Sequence, residues 1–151
     1  MHVTGSCHCG AITFTAEVDS ARVLVCHCTD CQVLTGSAFR VFVPAAIDSF
    51  AMQGEPTRYV KVAASGAKRV QAFCPQCGTP VFSTEPEGAT QVMLRVGTLS
   101  QRTVLLPSLQ IWKRSSLPWV ESLTSVQSCQ AQEALSPQQV RAPANADDAH
   151  S

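Results

Sequence analysis

The chain of 151 residues has no excess of charge of either sign, since 11 Lys and Arg stand against 11 Asp and Glu. Proteins that bind nucleic-acid phosphates usually present an excess of basic side chains. The balance therefore argues against a nucleic-acid partner. Bound metal would make the chain more acidic, because a zinc ion with four thiolates carries about −2 and one with three about −1.

Two kinds of targeting segment are also missing from this sequence. No stretch is long and apolar enough to form a membrane-spanning helix. Residues 1–7 have no basic start followed by an apolar run, as a secretory signal would have. We therefore expect a cytoplasmic location without membrane association. In that reducing compartment, clustered cysteines indicate metal or redox sites rather than disulfides.

Helical periodicity is scarce, and short alternating segments take its place. From Ile12 to Val18 every second residue is apolar, which is typical of a half-buried strand. Turn signals rich in Gly and Pro separate such segments, so an all-β domain is predicted. Strands are predicted at residues 11–18, 23–26, 38–43, 57–62, 68–73, 80–83, 91–96 and 109–112, and one helical turn at 29–34.

The composition changes near residue 122. Residues 127–151 consist mostly of Ala, Gln, Ser, Pro and Asp, with almost no large apolar side chains to bury. We predict one domain over residues 1–122 and a disordered tail over residues 123–151. Cys129 lies in that tail, apart from the other seven cysteines.

The seven remaining cysteines have spacings that suit metal binding. Two cysteines three positions apart on a turn grip one ion, and a following Gly permits positive φ, as in Cys74-Pro75-Gln76-Cys77-Gly78. Cysteines two apart on a strand point to the same face, so the middle residues, His8 and His27, are weaker ligand candidates. The other groups are Cys7-His8-Cys9 and Cys26-His27-Cys28-Thr29-Asp30-Cys31.

Seven ligands are more than the four that one tetrahedral zinc ion binds, so they divide between two ions. Three of them lie within six residues and converge without help, which leaves two pairs to share the other ion. We predict a three-cysteine set that leaves one zinc position open, as in catalytic sites: Cys26, Cys28 and Cys31. We predict a four-cysteine set that encloses a structural zinc: Cys7, Cys9, Cys74 and Cys77.

Other uses of the cysteines remain open at this point. A disulfide framework needs an even number of ordered cysteines and an exported chain. An iron–sulfur cluster on the three-cysteine set has no other redox feature to support it, and a redox Cys-x-x-Cys pair normally accompanies a βαβ pattern. The open position of the second zinc could also hold only water or a distant side chain.

Three thiolates leave a zinc ion with net negative charge, which makes it a poor generator of hydroxide. A sulfur-rich site favours an incoming thiolate as fourth ligand, and such a thiolate stays nucleophilic toward a carbonyl. The three-cysteine set therefore indicates thiol chemistry.

Other candidate ligand contacts have simpler interpretations. Binding of ligand carboxylates is conceivable for three basic residues, but solvated surface cations are the simpler interpretation of Arg95, Lys113 and Arg114. The simpler interpretation of Trp112 and Trp119 is that they are core residues.

These motifs resemble the glutathione-dependent formaldehyde-activating enzyme family, also called the centromere-protein-V domain. The resemblance covers about residues 3–121. It runs through the segments Gly5–Phe14, Cys26–Cys31 with Thr35-Gly36-Ser37, Phe73–Thr79 and Gly97-Thr98-Leu99, and ends near Pro107–Trp112 and Trp119.

The resemblance implies a β-tent fold of several small coiled antiparallel sheets, two zinc ions divided as above, and joining of glutathione to formaldehyde. Ser100 stands where many relatives carry Asp, and Gln110 where they carry His or Glu. Methionine sulfoxide reductase B shares the implied fold, but this chain has no cysteine that matches the catalytic cysteine found late in that domain.

The function is predicted to be a zinc-dependent carbon–sulfur lyase or adduct-forming enzyme that uses glutathione or another small thiol. The alternative is a non-catalytic, zinc-stabilised protein-binding module.

Overall fold

The computed structural model describes residues 1–63 and 65–131. The chain divides into two compact units, Met1–Leu117 and a second that begins at Pro118. In the second unit, a 3-10 helix spans Pro118–Ser125. The predicted tail of residues 123–151 lies mostly outside the described residues, and its boundary stays a prediction. In the described part of the chain, no helix has the length and apolar character to cross a membrane.

The first unit is built almost entirely of short strands, which confirms the predicted all-β fold. Its described residues form ten strands and one α-helix, α1, at Thr29–Thr35. Short 3-10 helices at Ile47–Ser49, Val96–Thr98 and Lys113–Ser115 connect some of them. The strands are β1 His2–Ser6, β2 Thr13–Glu17, β3 Leu24–Cys26, β4 Arg40–Ala46, β5 Ala51–Gln53, β6 Thr57–Val62, β7 Lys68–Phe73, β8 Pro80–Thr84, β9 Gln91–Arg95 and β10 Leu109–Ile111.

The strands form two sheets. A three-stranded sheet has the order β1-β2-β5, and a seven-stranded sheet has the order β10-β3-β4-β9-β8-β7-β6. All neighbours are antiparallel except β10 and β3, which run parallel. An isolated bridge from Val18 to Ala45 joins the end of β2 to β4 of the larger sheet, and another joins Gly5 of β1 to Leu99. One hydrophobic core contains residues of both sheets.

The hairpin of β1 and β2 shows how the alternating pattern builds that core. Phe14 and Ala16 are buried, whereas Thr13 and Glu17 are exposed, as alternation predicts. The ring of Phe14 lies over Gly5, where an added Cβ would stand 2.3 Å from its Cζ atom. No strand is predicted at β1, because Val3 is its one large apolar side chain and Gly5 has weak strand preference. Pairing with β2 along all five residues makes it a strand.

Candidate metal centres and the adjoining cavity

The structure brings the seven core cysteines together as two separate groups, with the membership that the sequence predicts. Within each group all sulfur atoms lie within 4.8 Å of one another. None of the eight cysteines, all of which lie in the described residues, forms a disulfide. The disulfide framework is therefore not what this fold uses, and each group could hold a metal ion.

The four-cysteine set has the spacing of a tetrahedral sulfur site. The Sγ atoms of Cys7 and Cys9 are 3.6 Å apart, and those of Cys9 and Cys74 are 3.7 Å apart. A tetrahedron with zinc–sulfur bonds of about 2.3 Å has sulfur–sulfur edges of about 3.8 Å. The donors thus match a thiolate-bound ion in both chemistry and size.

Two hairpin turns from different sheets supply these four sulfurs. The turn after β1 is closed by a bond from the Cys7 amide to the Ile12 carbonyl at 2.9 Å, and the Ile12 amide donates back to the Cys7 sulfur at 3.2 Å. The turn after β7 is closed by the Cys74 amide on the Thr79 carbonyl at 3.0 Å. Gly78 there has φ +70°, which favours glycine. Each turn therefore positions its sulfurs through its own backbone.

Thr79 connects the two turns. Its hydroxyl accepts from the His8 amide at 3.2 Å and lies 3.1 Å from the Cys77 sulfur. The hydrogen bonds from the hydroxyl and amide of Thr79 lower the pKa of Cys77 to about 5. These hydrogen bonds favour the thiolate form of Cys77, which is the form that binds a metal ion.

The three-cysteine set lies where β3 passes into α1. Cys26 ends β3, and Cys28 caps the helix by accepting the Cys31 amide at 3.4 Å. The Thr35 hydroxyl donates to the Cys31 carbonyl at 2.7 Å, and Gly36 ends the helix at φ 60°. The end of β3 and the first turn of α1 thus supply all three sulfurs from one stretch of six residues.

Burial makes the three-cysteine set dependent on positive charge. It raises the pKa of the Cys31 thiol, and the charge of Arg40 acts in the opposite direction. Burial also raises the pKa of Cys28, but the hydrogen bonds from the Cys31 amide and from the neighbouring thiols outweigh it, so that this pKa is lowered. Three thiolates side by side here need a cation, which is the role a metal ion would have.

A cavity of about 370 Å³ opens beside the three-cysteine set. Its floor is one face of the seven-stranded sheet, because residues directly opposite each other on paired strands point the same way. Cys26 faces Arg40, Phe42 faces Arg95, and Gln71 faces Ser83 in the ladder. The cavity is lined by Cys26, Cys28, Asp30, Cys31, Leu34, Arg40, Phe42, Lys61, Arg69, Gln71, Ser83, Met93, Arg95, Ile111 and Trp112.

His27 points away from the three sulfurs, as predicted for a middle residue, but it is not solvated. It exposes 1% of its surface. Its Nε2 atom lies 2.8 Å from Oε1 of Gln110, and its ring meets Phe39 edge-on at 5.6 Å. Gln110 therefore positions the loop of the three-cysteine set, a contact between residues 83 apart that spacing alone does not reveal.

Trp112 is not a core residue. It is 51% exposed, lines the cavity, and has φ 58°, an uncommon backbone conformation for a bulky side chain. Arg114 lies over its ring at 4.8 Å. Trp119, in the second unit, is also 51% exposed. The core interpretation is wrong for both tryptophans.

Arg95 is buried rather than solvated, and a second buried arginine, Arg40, lines the same cavity. Both donate to the side-chain oxygen of Gln71. The sequence gives no signal for Arg40 or Gln71, because only the sheet register brings them together.

Ser100 does not line this cavity. It lines a different cavity of about 550 Å³, which none of the seven cysteines lines.

Comparisons with known proteins identify the family of this chain. The family model of the glutathione-dependent formaldehyde-activating enzymes matches residues 2–115, so the chain belongs to that family. An uncharacterized lyase from Schizosaccharomyces pombe is 29% identical over 84 residues. That match covers 56% of this chain and 58% of the relative, so the chain spans little more than half of the relative's length.

The fold also has a solved counterpart. The crystal structure of a Rhodobacter sphaeroides protein is similar with a TM-score of 0.55 and 18% sequence identity. The match covers 71% of this chain and 98% of the other. At this identity, the likeness concerns the fold alone.

Proposed function

We propose that the chain is a zinc-dependent enzyme that makes or breaks the carbon–sulfur bond between a small thiol, such as glutathione, and an aldehyde of the formaldehyde type. The observation that carries the proposal is the pairing of an incomplete sulfur set with a cavity: three cysteines leave one tetrahedral position open, and a space of about 370 Å³ adjoins them. Family membership supports the same substrates.

In this proposal, the four-cysteine set holds a structural zinc and the three-cysteine set holds a catalytic one. Thiolate donors suit zinc, and the sulfur–sulfur distances of 3.6 and 3.7 Å fit zinc–thiolate bonds. A cytoplasmic location, where thiols stay reduced, goes with eight cysteines of which none is in a disulfide. A bound zinc would supply a position at which an incoming sulfur is ionised yet nucleophilic at neutral pH.

The chain's own residues would orient the partners and hold the proton. Addition forms a carbon–sulfur bond, moves the carbonyl π pair onto oxygen, and returns the thiol proton to that oxygen, so no oxidant or reductant is needed. Lys61 lines the cavity and is paired with Asp30. We assign to Lys61 the stabilisation of the negative oxygen that the addition creates and the donation of a proton to it, with Asp30 holding the ammonium in place.

The direct test is exchange NMR on a mixture of glutathione and formaldehyde, which interconvert with S-hydroxymethylglutathione. We expect the zinc-loaded protein to accelerate exchange, and Cys28→Ser to abolish the acceleration while Cys129→Ser keeps it. Equal exchange with and without the wild-type protein would contradict the proposal and favour a binding module that uses its zinc for stability only.

A further inference from the structure

Two arginines share one face of the sheet with the three-cysteine set. Arg40 on β4 and Arg95 on β9 each expose only 6% of their surface, and both line the cavity. Phe42 is directly opposite Arg95, so Arg40 is the diagonal neighbour of Arg95 on the same face. Cys26 is directly opposite Arg40 on β3. The two guanidinium groups therefore lie beside the sulfurs.

Their protein partners are too few for two buried charges. Arg40 Nη1 and Arg95 Nη2 donate to the same oxygen, Oε1 of Gln71, at 3.2 and 3.0 Å. Arg95 Nη1 also donates to the Met93 carbonyl at 3.3 Å. The Nε atoms of both arginines are buried without a partner. Within residues 1–63 and 65–131, neither guanidinium has a carboxylate partner.

Other charges at the cavity do not supply the missing anion. Asp30 is paired with Lys61, and Glu85 is paired with Arg69 at 3.3 Å. A zinc with three thiolates carries about −1, so two arginines beside it leave about one positive charge unbalanced. Burial, followed by the charge of Arg40, lowers the pKa of Arg95 to about 9, because desolvation penalises the charged guanidinium.

We propose that Arg40, Gln71 and Arg95 form a carboxylate-binding subsite that makes the three-cysteine centre selective for thiols that also bear a carboxylate. This rests on the proposed function in that a thiol is taken as the ligand. A carboxylate accepts two parallel bonds from a guanidinium, and both arginines border the cavity in which the ligand would lie. One carboxylate also matches the one unbalanced charge, whereas a phosphate dianion exceeds it.

The first experiment compares three probes by calorimetry on the zinc-loaded protein: 3-mercaptopropionate, the neutral thiol 2-mercaptoethanol, and propionate, which has no thiol. We expect 3-mercaptopropionate to bind at least about tenfold more tightly than 2-mercaptoethanol. In parallel, ¹H–¹⁵N NMR follows the Nε–H signals of Arg40 and Arg95. We expect millimolar propionate to shift both signals.

Variants separate recognition from folding. Arg40→Gln and Arg95→Gln should remove the preference for 3-mercaptopropionate. Gln71→Glu places a carboxylate between the arginines, so it should remove the preference and also raise the thermal midpoint, which a misfolded variant would not do. Arg58→Gln is the matched control: Arg58 is exposed on β6 and outside the cavity lining, so its loss changes net charge alone.

The outcomes keep this subsite and the proposed function apart. Equal affinities for the two thiols, with unmoved Nε–H signals, would overturn the subsite and leave thiol binding intact. Binding of neither thiol would contradict the proposed function, and the propionate shifts would then still decide the subsite. A preference that survives Arg40→Gln, Arg95→Gln and Gln71→Glu would also overturn it.

Discussion

The four-cysteine and three-cysteine sets use the same ligand in opposite ways. The first joins hairpin turns of two different sheets, with Cys9 and Cys74 separated by 65 positions. The second comes from one stretch at the start of α1 and borders a cavity. A link between distant segments removes more unfolded-chain entropy than a local one. We therefore expect the four-cysteine set to contribute more to stability and the three-cysteine set to remain available for chemistry.

The largest expected effect is the loss of the fold when the four-cysteine set is broken. Cys74 is fully buried, and Cys74→Ser should release the structural ion. Structural zinc contributes about 10–16 kcal/mol in small domains, more than or comparable to a typical unfolding free energy of about 5–15 kcal/mol. Circular dichroism should therefore show an unfolded chain. A cooperative melt at the wild-type temperature would remove the distinction between the sets.

Breaking the three-cysteine set should cost an ion but not the fold. Cys28→Ser should lower metal content from two ions to one per chain, because the remaining two sulfurs cannot replace the third. Elemental analysis with a thermal melt measures both quantities. Cys129→Ser, outside both sets, should keep two ions. If Cys28→Ser unfolds as completely as Cys74→Ser, the two centres contribute equally to the stability of the fold.

A methyl group added on β1, close to the four-cysteine set, should lower the free energy of unfolding by an intermediate amount. In Gly5→Ala the new methyl group would meet the Phe14 ring at 2.3 Å, and overpacking of this kind costs about 1–3 kcal/mol. Gly97→Ala is the matched control, since nothing lies within 4 Å of its added Cβ. Urea unfolding should show the loss for Gly5→Ala alone. Equal unfolding free energies for Gly5→Ala and Gly97→Ala would mean that the hairpin of β1 and β2 accommodates the methyl group without loss of stability.

The smallest expected effect is a change in pH dependence. The Cys77 pKa is lowered to about 5, so its thiolate supports metal binding above that pH and the support is lost as pH falls through it. Thr79→Val removes the hydroxyl bond and should raise this pKa. Acid release of the ion from the four-cysteine set should then begin at higher pH, while release from the three-cysteine set is unchanged. An unshifted release curve would mean that Thr79 does not tune this ligand.

Local patterns in the sequence predict most of this molecule. Alternation identifies β2, and cysteine spacing alone divides the seven ligands as the structure groups them. Contacts set by sheet register are not predictable in this way. The meeting of Arg40 with Gln71 spans 31 positions, and that of His27 with Gln110 spans 83. Neither the cavity's charge nor the burial of His27 could be read from spacing, because each depends on which strands become neighbours.

In the proposed function, only the three-cysteine set has a coordination position free for a thiol. The most direct measurement is a thiol titration of the protein loaded with Co²⁺ at both centres, followed by its sulfur-to-cobalt absorption. In the wild-type protein we expect thiol to change the absorption of one of the two cobalt ions. In Cys28→Ser we expect the absorption to stay the same. An unresponsive wild-type spectrum, or a response that Cys28→Ser retains, would mean that thiols do not bind at the three-cysteine set.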